Sequence, residues 1–535
     1  MLSYRKLAMR VLGRPLHTEG IDSPRPASQR AAAFILTAAM LTTLAAPAFA
    51  DIWHIENGDI TISAGESGNN VTQNNNTTYG DTNTIITNQN KDTASSHTVT
   101  IEAKDKDDKV EVTLKDVNID TSSRNKAAVS VTGEGDTNIK LDGDNALKSD
   151  IYRSGIYGSG SLTISGGEND SLTAQGGSGA NGISSSGSLT ISGGTVTANG
   201  DDGGRGISSS GSVTISGGST VTANGGSGTI SGGDGICSGG GVTISACSTV
   251  TAKGGNGGSL VGGDGIRSGG GLTVSDGTVT AKGGNGDSKD GYGGDGIRSG
   301  GVVTISGNTV NAAGGYGGKV GGYGICSFDR VAISGGTVEA AGGNGSTGGG
   351  SGIYSSVIDL SGSLELTAKA GSPNGKALSQ KGSELVLDTI KDKLGPGAKV
   401  TATDADGKVI DQVSTPRPVE PEESSSSSDG GSAAPSAPAS PLPGLTVTDK
   451  DGQRISYTST QSGNTLTVCV GRLTASFRIS LAALRQLRAE GIETITFQTI
   501  LCSTTLSVDE LLAMGGEDAE AVLTHRFTDS SLTVG

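Results

Sequence analysis

Three apolar positions recur along the middle of the chain, with a repeat of 24 to 31 residues. Within triplets such as Leu189-Thr190-Ile191, apolar and polar residues alternate, which is the period of a strand with one buried face. The first apolar position of each repeat follows a glycine and is occupied by Ile156, Ile183, Ile207, Ile236, Ile266, Ile297, Ile325 and Ile353. A unit of this length cannot bury its apolar face alone, so the pattern predicts stacked coils.

The segments between the triplets are S-G-G and S-G-S pieces, which favour turns. Each coil therefore holds two or three short strands, and the predicted fold is all-β, a parallel β-helix or β-solenoid of about ten coils. The stretch from the third apolar position to the next isoleucine varies, from 11 residues after Val196 to 18 after Val279. One glycine-rich turn of each coil is thus a variable loop, and loops that vary on one side often form the binding face.

The first fifty residues resemble an export signal. A basic leader precedes the apolar run Ala31 to Leu44, and Ala48-Phe49-Ala50 fits an A-x-A cleavage site, so Asp51 is the expected mature N-terminus. An N-terminal membrane anchor is the alternative, although the apolar run is short for a span. We expect a secreted protein, extracellular or attached to the cell surface, with no membrane span once the signal is removed.

The remaining boundaries follow from composition. Residues 69–90 are rich in Asn and Thr, and are expected to be disordered or to form an asparagine ladder. A Pro/Ser-rich linker separates the coils from a last segment with ordinary globular patterning. The predicted parts are a signal peptide at 1–50, irregular N-terminal β coils at 51–150, solenoid repeats at 151–371, closing coils at 372–414, the linker at 415–443 and a small α+β domain at 444–535.

Composition narrows the possible functions. The chain has 535 residues, of which 91 are glycine and 3% are aromatic, and its net charge is −15. Loss of the basic leader makes the mature chain more acidic still. Because no basic stripe is present to neutralise phosphates, nucleic-acid binding is not expected.

Residues suited to catalysis are scattered. The histidines beyond the leader are His54, His97 and His525, and none lies in a repeat. The repeat cysteines Cys237 and Cys326 have no histidine in their coils, so a thiol nucleophile lacks its base. We therefore expect no enzymatic activity; a polysaccharide lyase or hydrolase is the remaining enzymatic alternative.

Two further cysteines lie in the C-terminal segment, Cys469 and Cys502. They share one predicted domain and can form a disulfide or remain free, because connectivity is not readable from sequence.

Acidic residues recur with the repeat. Asp234, Asp264 and Asp295 each occupy the sequence G-G-D-G-I. In stacked coils these carboxylates form a column spaced ~4.8 Å apart, and they repel one another unless screened, protonated or bridged by a cation. They are the candidate Ca²⁺ ligands, since calcium takes oxygen donors. The alternative is that each aspartate caps its own turn.

Three of the few aromatic residues fall in the variable loops, namely Tyr292, Tyr316 and Tyr323. Exposed tyrosines often mark recognition surfaces, and sugar rings pack on aromatic faces. The neighbouring Asn285, Asp287 and Lys289 are candidate hydrogen-bonding partners for a bound glycan. The alternative interpretation is that the tyrosines only cover exposed turns.

The strings GISSSGSLTISGGTVTANG, GDGIRSGGGLTVSDGTVTAKGG and DTNIKLDGDNALKSD resemble those of secreted clostridial β-helix proteins, usually described as carbohydrate-binding domain-containing proteins. The resemblance spans about residues 98 to 370. It implies plant cell-wall polysaccharides as ligands and an association with calcium. The expectation is therefore a non-catalytic protein that binds extracellular polysaccharide, with a structural adhesin or surface stalk contacting host protein as the alternative.

Overall fold

The computed structural model describes residues 51–416, apart from 247 and 308, and residues 442–534 with several short gaps. The predicted signal peptide and almost all of the predicted linker lie outside the described residues. Two separate hydrophobic cores are present, one in residues 51–416 and one in the C-terminal segment.

Residues 51–416 form a parallel β-solenoid of about 13 turns, which confirms the predicted fold with a higher coil number. A typical coil contains three short strands, Ile266–Ser268, Leu272–Val274 and Thr278–Lys282. Each strand pairs in register with its counterparts in the coils before and after it. The strands therefore form three columns, here called column 1, column 2 and column 3 in the order in which the chain visits them.

The strands of column 1 are Ile60–Gly65, Val99–Ala103, Val129–Gly133, Ile156–Gly158, Ile183–Ser185, Ile207–Ser209, Ile236–Ser238, Ile266–Ser268, Ile297–Ser299, Ile325–Ile333, Ile353–Leu360 and Leu378–Gln380. Those of column 2 are Ile52–His54, Ile85–Thr87, Lys109–Lys115, Asp136–Asp142, Ser161–Ser165, Leu189–Ser192, Val213–Ser216, Val242–Ile244, Leu272–Val274 and Val303–Ile305, continued by the second halves of Ile325–Ile333 and Ile353–Leu360. Those of column 3 are Asn118–Asp120, Asp144–Lys148, Ser171–Ser178, Thr195–Asp201, Thr220–Asn224, Thr249–Lys253, Thr278–Lys282, Thr309–Ala313, Gly336–Ala341, Leu364–Lys369 and Lys399–Thr403.

The core consists of identical residues stacked on one another. Ile207, Ile236, Ile266 and Ile297 are paired in sequence along column 1 and are all fully buried, as the repeat predicts. Column 3 contributes a second line of valine and alanine, such as Val279 and its partners. Burial of the β-branched side chains of each coil thus depends on the coils above and below.

Residues 51–150, predicted as irregular N-terminal β coils, contain strands that join the columns of the later coils. Strand Val129–Gly133 pairs in parallel register with Ile156–Gly158, and strand Asp136–Asp142 pairs with Ser161–Ser165. The turns of these early coils are polar and do not repeat one sequence.

The Asn-rich stretch is neither disordered nor an asparagine ladder. Strand Ile60–Gly65 pairs antiparallel with Gly68–Gln73, which in turn pairs antiparallel with Asn76–Asp81. The amide of Asn69 donates to Thr84 Oγ1 at 2.9 Å and to the Glu111 carbonyl at 2.8 Å. This meander follows a short 3₁₀ helix at Ile55–Asn57.

The other end of the solenoid also changes from parallel to antiparallel pairing. Strand Leu378–Gln380 pairs antiparallel with Ser383–Glu384, and Lys399–Thr403 pairs antiparallel with Val409–Ser414. Between these two reversed pairs a 3₁₀ helix, Leu387–Lys393, buries Leu387. The reversed strands cover the last parallel edge, which would otherwise offer unpaired backbone groups.

The C-terminal segment is mostly sheet with two short helices. Its helices are Leu481–Ala489 and Val508–Met514, each capped by a serine, as the sequence predicts for Ser507. One four-stranded sheet contains Leu445–Thr448, Ala475–Ser480, Glu520–His525 and Ser530–Val534; the other contains Thr458–Ser462, Thr465–Cys469, Thr494–Gln498 and Ser503–Ser507. The Cys469 thiol is free and lies 3.4 Å from Gln498 Oε1, while Cys502 falls outside the described residues.

Neither of the two α-helices described, Leu481–Ala489 and Val508–Met514, has the length and apolar character that spanning a bilayer requires.

Candidate functional site

The variable glycine loops are ordered by hydrogen bonds between glycines. From Gly204 to Gly371, two lines of glycines alternate as donor and acceptor; for example, Gly263 N–H donates to the Gly255 carbonyl at 2.8 Å, and Gly284 N–H donates to the Gly263 carbonyl at 2.8 Å. The loops also pair across coils at isolated bridges, such as Gly257 with Gly286. The loops are therefore continuous with the sheets beneath them.

This packing excludes side chains. A Cβ atom on Gly263 would lie 1.9 Å from the carbonyl oxygen of Gly233, and one on Gly294 would lie 2.0 Å from that of Gly263. Only glycine allows the backbones of neighbouring coils to approach this closely. The glycines of the variable loops thus form a close-packed layer.

Beside the glycine layer runs a line of side chains, here called the aspartate ladder, which contains the half-buried Asn181 and the buried Asp234, Asp264 and Asp295. Asp234, Asp264 and Asp295 are only 4–6% exposed. Asp264 N–H donates to Asp234 Oδ1 at 2.9 Å, Asp295 N–H donates to Asp264 Oδ1 at 2.8 Å, and Tyr323 N–H donates to Asp295 Oδ1 at 2.7 Å. The predicted column of carboxylates is therefore present, and each carboxylate bonds the coil that follows.

An amide performs the same role two coils before Asp234. Asn181 precedes the glycine of its coil as the aspartates do, and its Oδ1 accepts from Arg205 N–H at 2.8 Å. Arg205 holds the equivalent position on the coil between them. A neutral side chain can therefore supply the acceptor oxygen at this position.

Burial, together with the neighbouring charges of Asp295 and Asp234, raises the pKa of Asp264 to about 8. Burial likewise raises the pKa of Asp295 to about 6, although the Tyr323 N–H and Arg298 oppose the shift. A raised pKa in a groove is often a sign of an acid catalyst. Here it arises because like charges are stacked in the interior, where each carboxyl group serves as a rung of the ladder.

The partners of the aspartates bear on the calcium prediction. Asp234 Oδ2 lies 3.2 Å from Arg205 Nε, and Asp295 Oδ2 lies 3.4 Å from an Arg298 terminal nitrogen. Ca²⁺ takes six to eight oxygen ligands, whereas these carboxylates are surrounded by N–H donors. Among the described residues, no group of three or more His, Cys, Asp or Glu side chains is placed to hold a metal ion. The fit to calcium is poor as the ladder stands, and calcium binding stays a prediction.

Two of the three predicted ligand tyrosines lie open to solvent on consecutive coils. Tyr292 is 43% exposed and Tyr316 is 46% exposed. Lys319 Nζ lies 5.7 Å from the Tyr292 ring centroid. Tyr292 pairs with Val261 and Val320 on the coils to either side, so it forms part of an exposed apolar strip.

Tyr323 is different. It is half-buried, its N–H bonds the aspartate ladder, and its ring stacks on Tyr354 with centroids 4.9 Å apart. The sequence pattern assigned Tyr323 to a loop because it follows a pair of glycines. In the structure, however, it lies next to the start of a column 1 strand, from which only Gly324 separates it. Of the three tyrosines predicted to bind the ligand, Tyr292 and Tyr316 therefore present open ring surfaces.

The three polar residues predicted to bind the glycan also differ in how accessible they are to a ligand. Asn285 Oδ1 accepts from Tyr316 N–H at 3.0 Å, so this oxygen already bonds the next coil. Asp287 and Lys289 are exposed on the loop that precedes Tyr292. These two remain accessible for contact with a ligand.

Sequence reasoning missed two grooves. The central groove, of about 570 Å³, is lined by Asp234, Asp264 and three arginines, Arg205, Arg267 and Arg298. The N-terminal groove, of about 590 Å³, is lined by Tyr152, Arg153 and Tyr157 together with Lys126, Ser130 and Ser184. Gly179 and Asn181 line both, so the two grooves meet. Tyr152 lies in a turn, whereas Tyr157 follows the repeat isoleucine Ile156 at a position that serine holds in the adjacent coils. Only their aromatic type, in a chain poor in aromatics, marked them.

The groups that could act as nucleophile or base do not converge. Burial raises the pKa of the Cys237 thiol to about 11 and that of Cys326 to about 12, so both stay protonated at neutral pH. His97 pairs with Asp59 at 3.2 Å, and His525 is buried between Thr499 and Thr504. The thiolate that nucleophilic catalysis requires is thus absent at Cys237 and Cys326.

No family model, curated protein or solved structure matches this chain.

Proposed function

We propose that this protein is a secreted, non-catalytic polysaccharide-binding protein that uses the exposed side of its solenoid loops. The observation that carries the proposal is the pair Tyr292 and Tyr316, two open aromatic faces on consecutive coils of a chain with 3% aromatics. The rigid glycine layer beneath them supports this role, because ordered loops lose little conformational freedom when a ligand binds.

A repetitive surface suits a repetitive ligand. Successive coils present similar groups at ~4.8 Å intervals. A polymer lying across several coils makes many weak contacts, and their combination raises affinity without a deep pocket.

The test is binding of the full-length protein to a panel of soluble and insoluble polysaccharides, measured by affinity electrophoresis and pull-down. The double variant Tyr292→Ala/Tyr316→Ala should bind at least tenfold more weakly, a loss of about 1.4 kcal/mol. Tyr79→Ala is the matched control, because Tyr79 is 77% exposed but belongs to the N-terminal meander.

Undiminished binding by the folded double variant would move the contact away from these loops. Failure of the unaltered protein to bind any polysaccharide would overturn the proposed function and favour a structural adhesin. Release of reducing ends from a bound polymer would contradict the non-catalytic assignment.

A further inference from the structure

The N-terminal groove combines two aromatic faces with hydroxyl groups. Tyr152 is 78% exposed and Tyr157 is 44% exposed. Tyr157 lies on the outward side of column 1, in register between Ser130 and Ser184, which also line the groove. Flat aromatic surfaces beside hydroxyl groups are the combination that a sugar ring requires.

Tyr152 is held in place by the backbone around it. It has a φ of 59°, which is unusual for a residue other than glycine. Its N–H donates to the Ser178 carbonyl at 2.9 Å. A Cβ atom on Gly179 would lie 2.9 Å from the Tyr152 ring, so the ring rests directly on the Gly179 backbone. Such residues persist only where the surrounding structure enforces them, often at ligand sites.

The charge of the groove is opposite to that of the chain. Its lining contains Lys126 and Arg153 and no carboxylate, whereas the whole chain carries a net charge of −15. Lys126 Nζ is already paired with Asp59 Oδ2 at 2.9 Å. Arg153 Nε lies 3.3 Å from the Asn125 side-chain oxygen, and in the described part of the solenoid it forms no ion pair. Its charge is therefore available to an anionic ligand.

We propose that the N-terminal groove is a second saccharide site and that it selects sugar units bearing an anionic group. Tyr152 and Tyr157 pack against the sugar ring, and the Arg153 guanidinium binds the carboxylate or sulfate, for which its planar fork is suited. This inference rests on the proposed function, but it concerns a different site and a narrower class of ligand.

The experiment compares matched charged and neutral polymers. A polyuronate and its carboxyl-reduced form test recognition of a carboxylate, and dextran sulfate and dextran test recognition of a sulfate. Each is titrated against the full-length protein, Arg153→Gln, Tyr152→Ala and the control Arg330→Gln, which removes an exposed arginine from another strand. Melting curves of every variant confirm folding.

We expect at least one charged polymer to bind about tenfold more tightly than its neutral form. Arg153→Gln should remove most of that preference, whereas Tyr152→Ala should weaken charged and neutral polymers alike. Equal binding of charged and neutral polymers, or a preference unchanged in Arg153→Gln, would overturn this inference and leave the proposed function intact. Absence of binding to every polymer would overturn both.

Discussion

The aspartate ladder makes a specific prediction about pH, because it stacks ionisable groups where one neutral rung already occurs. We consider the substitution Asp264→Asn. Asn181 shows that an amide oxygen accepts the N–H of the next coil at 2.8 Å, close to the 2.8 Å of the Asp264 bond to Asp295 N–H. The substitution therefore keeps the rung and removes its charge.

The magnitude follows from the pKa of Asp264, which burial raises from 3.8 to about 8. Because the folded state holds this proton more tightly than the unfolded chain, the stabilisation is complete below pH 3.8 and is lost as the pH rises through about 8. Each pH unit between these values lowers the free energy of unfolding by about 1.4 kcal/mol. From pH 5 to pH 8, ionisation of Asp264 should therefore lower the free energy of unfolding by on the order of 4 kcal/mol.

The assay is urea unfolding of the full-length protein and of Asp264→Asn at pH 5 and pH 8, followed by far-ultraviolet circular dichroism. The advantage of the variant over the unaltered protein should be larger at pH 8 than at pH 5 by on the order of 4 kcal/mol. Asp287→Asn, which changes an exposed loop aspartate, is the control; because it keeps Asp264, it should lose stability from pH 5 to pH 8 as the unaltered protein does. A variant that is less stable at pH 8 would refute the reasoning, because it would mean that the Asp264 charge is favourable in the folded state.

Three further predictions concern packing and metal. Gly350→Ala places a Cβ 1.8 Å from the Gly322 carbonyl oxygen and should lower the free energy of unfolding, measured in urea, by more than about 3 kcal/mol. The control Gly348→Ala, in the same loop, places its Cβ 3.9 Å from Val320 and should change that free energy by less than about 0.5 kcal/mol. Ile266→Asp buries an unpaired carboxyl in column 1 and should abolish the cooperative transition, whereas Ile230→Asp, at an exposed loop position, should not. If calcium binds the aspartate ladder, millimolar Ca²⁺ raises the melting temperature and Asp264→Asn removes the effect; identical curves in Ca²⁺ and EDTA would exclude metal binding there.

The sequence alone determined the solenoid, the buried columns and most strands of the repeats. These features depend on the alternation of apolar and polar residues and on a recurring repeat, and both can be read directly from the amino-acid sequence. Ile207, Ile236, Ile266 and Ile297 could be assigned to one buried column because identical residues at equivalent positions must stack when coils stack. The helix cap at Ser507 is equally local.

Only the tertiary structure decided how the loops and the grooves are built. The roles of Tyr323 and Asn285 depend on hydrogen bonds to neighbouring coils about 30 residues away, which no local pattern encodes. The N-terminal groove brings together Lys126, Tyr152 and Ser184, which differ in type and come from three successive coils. The physical reason is that stacking converts sequence separations of one coil into contacts of a few ångströms, so the charge and shape of the surface emerge only after the coils are assembled.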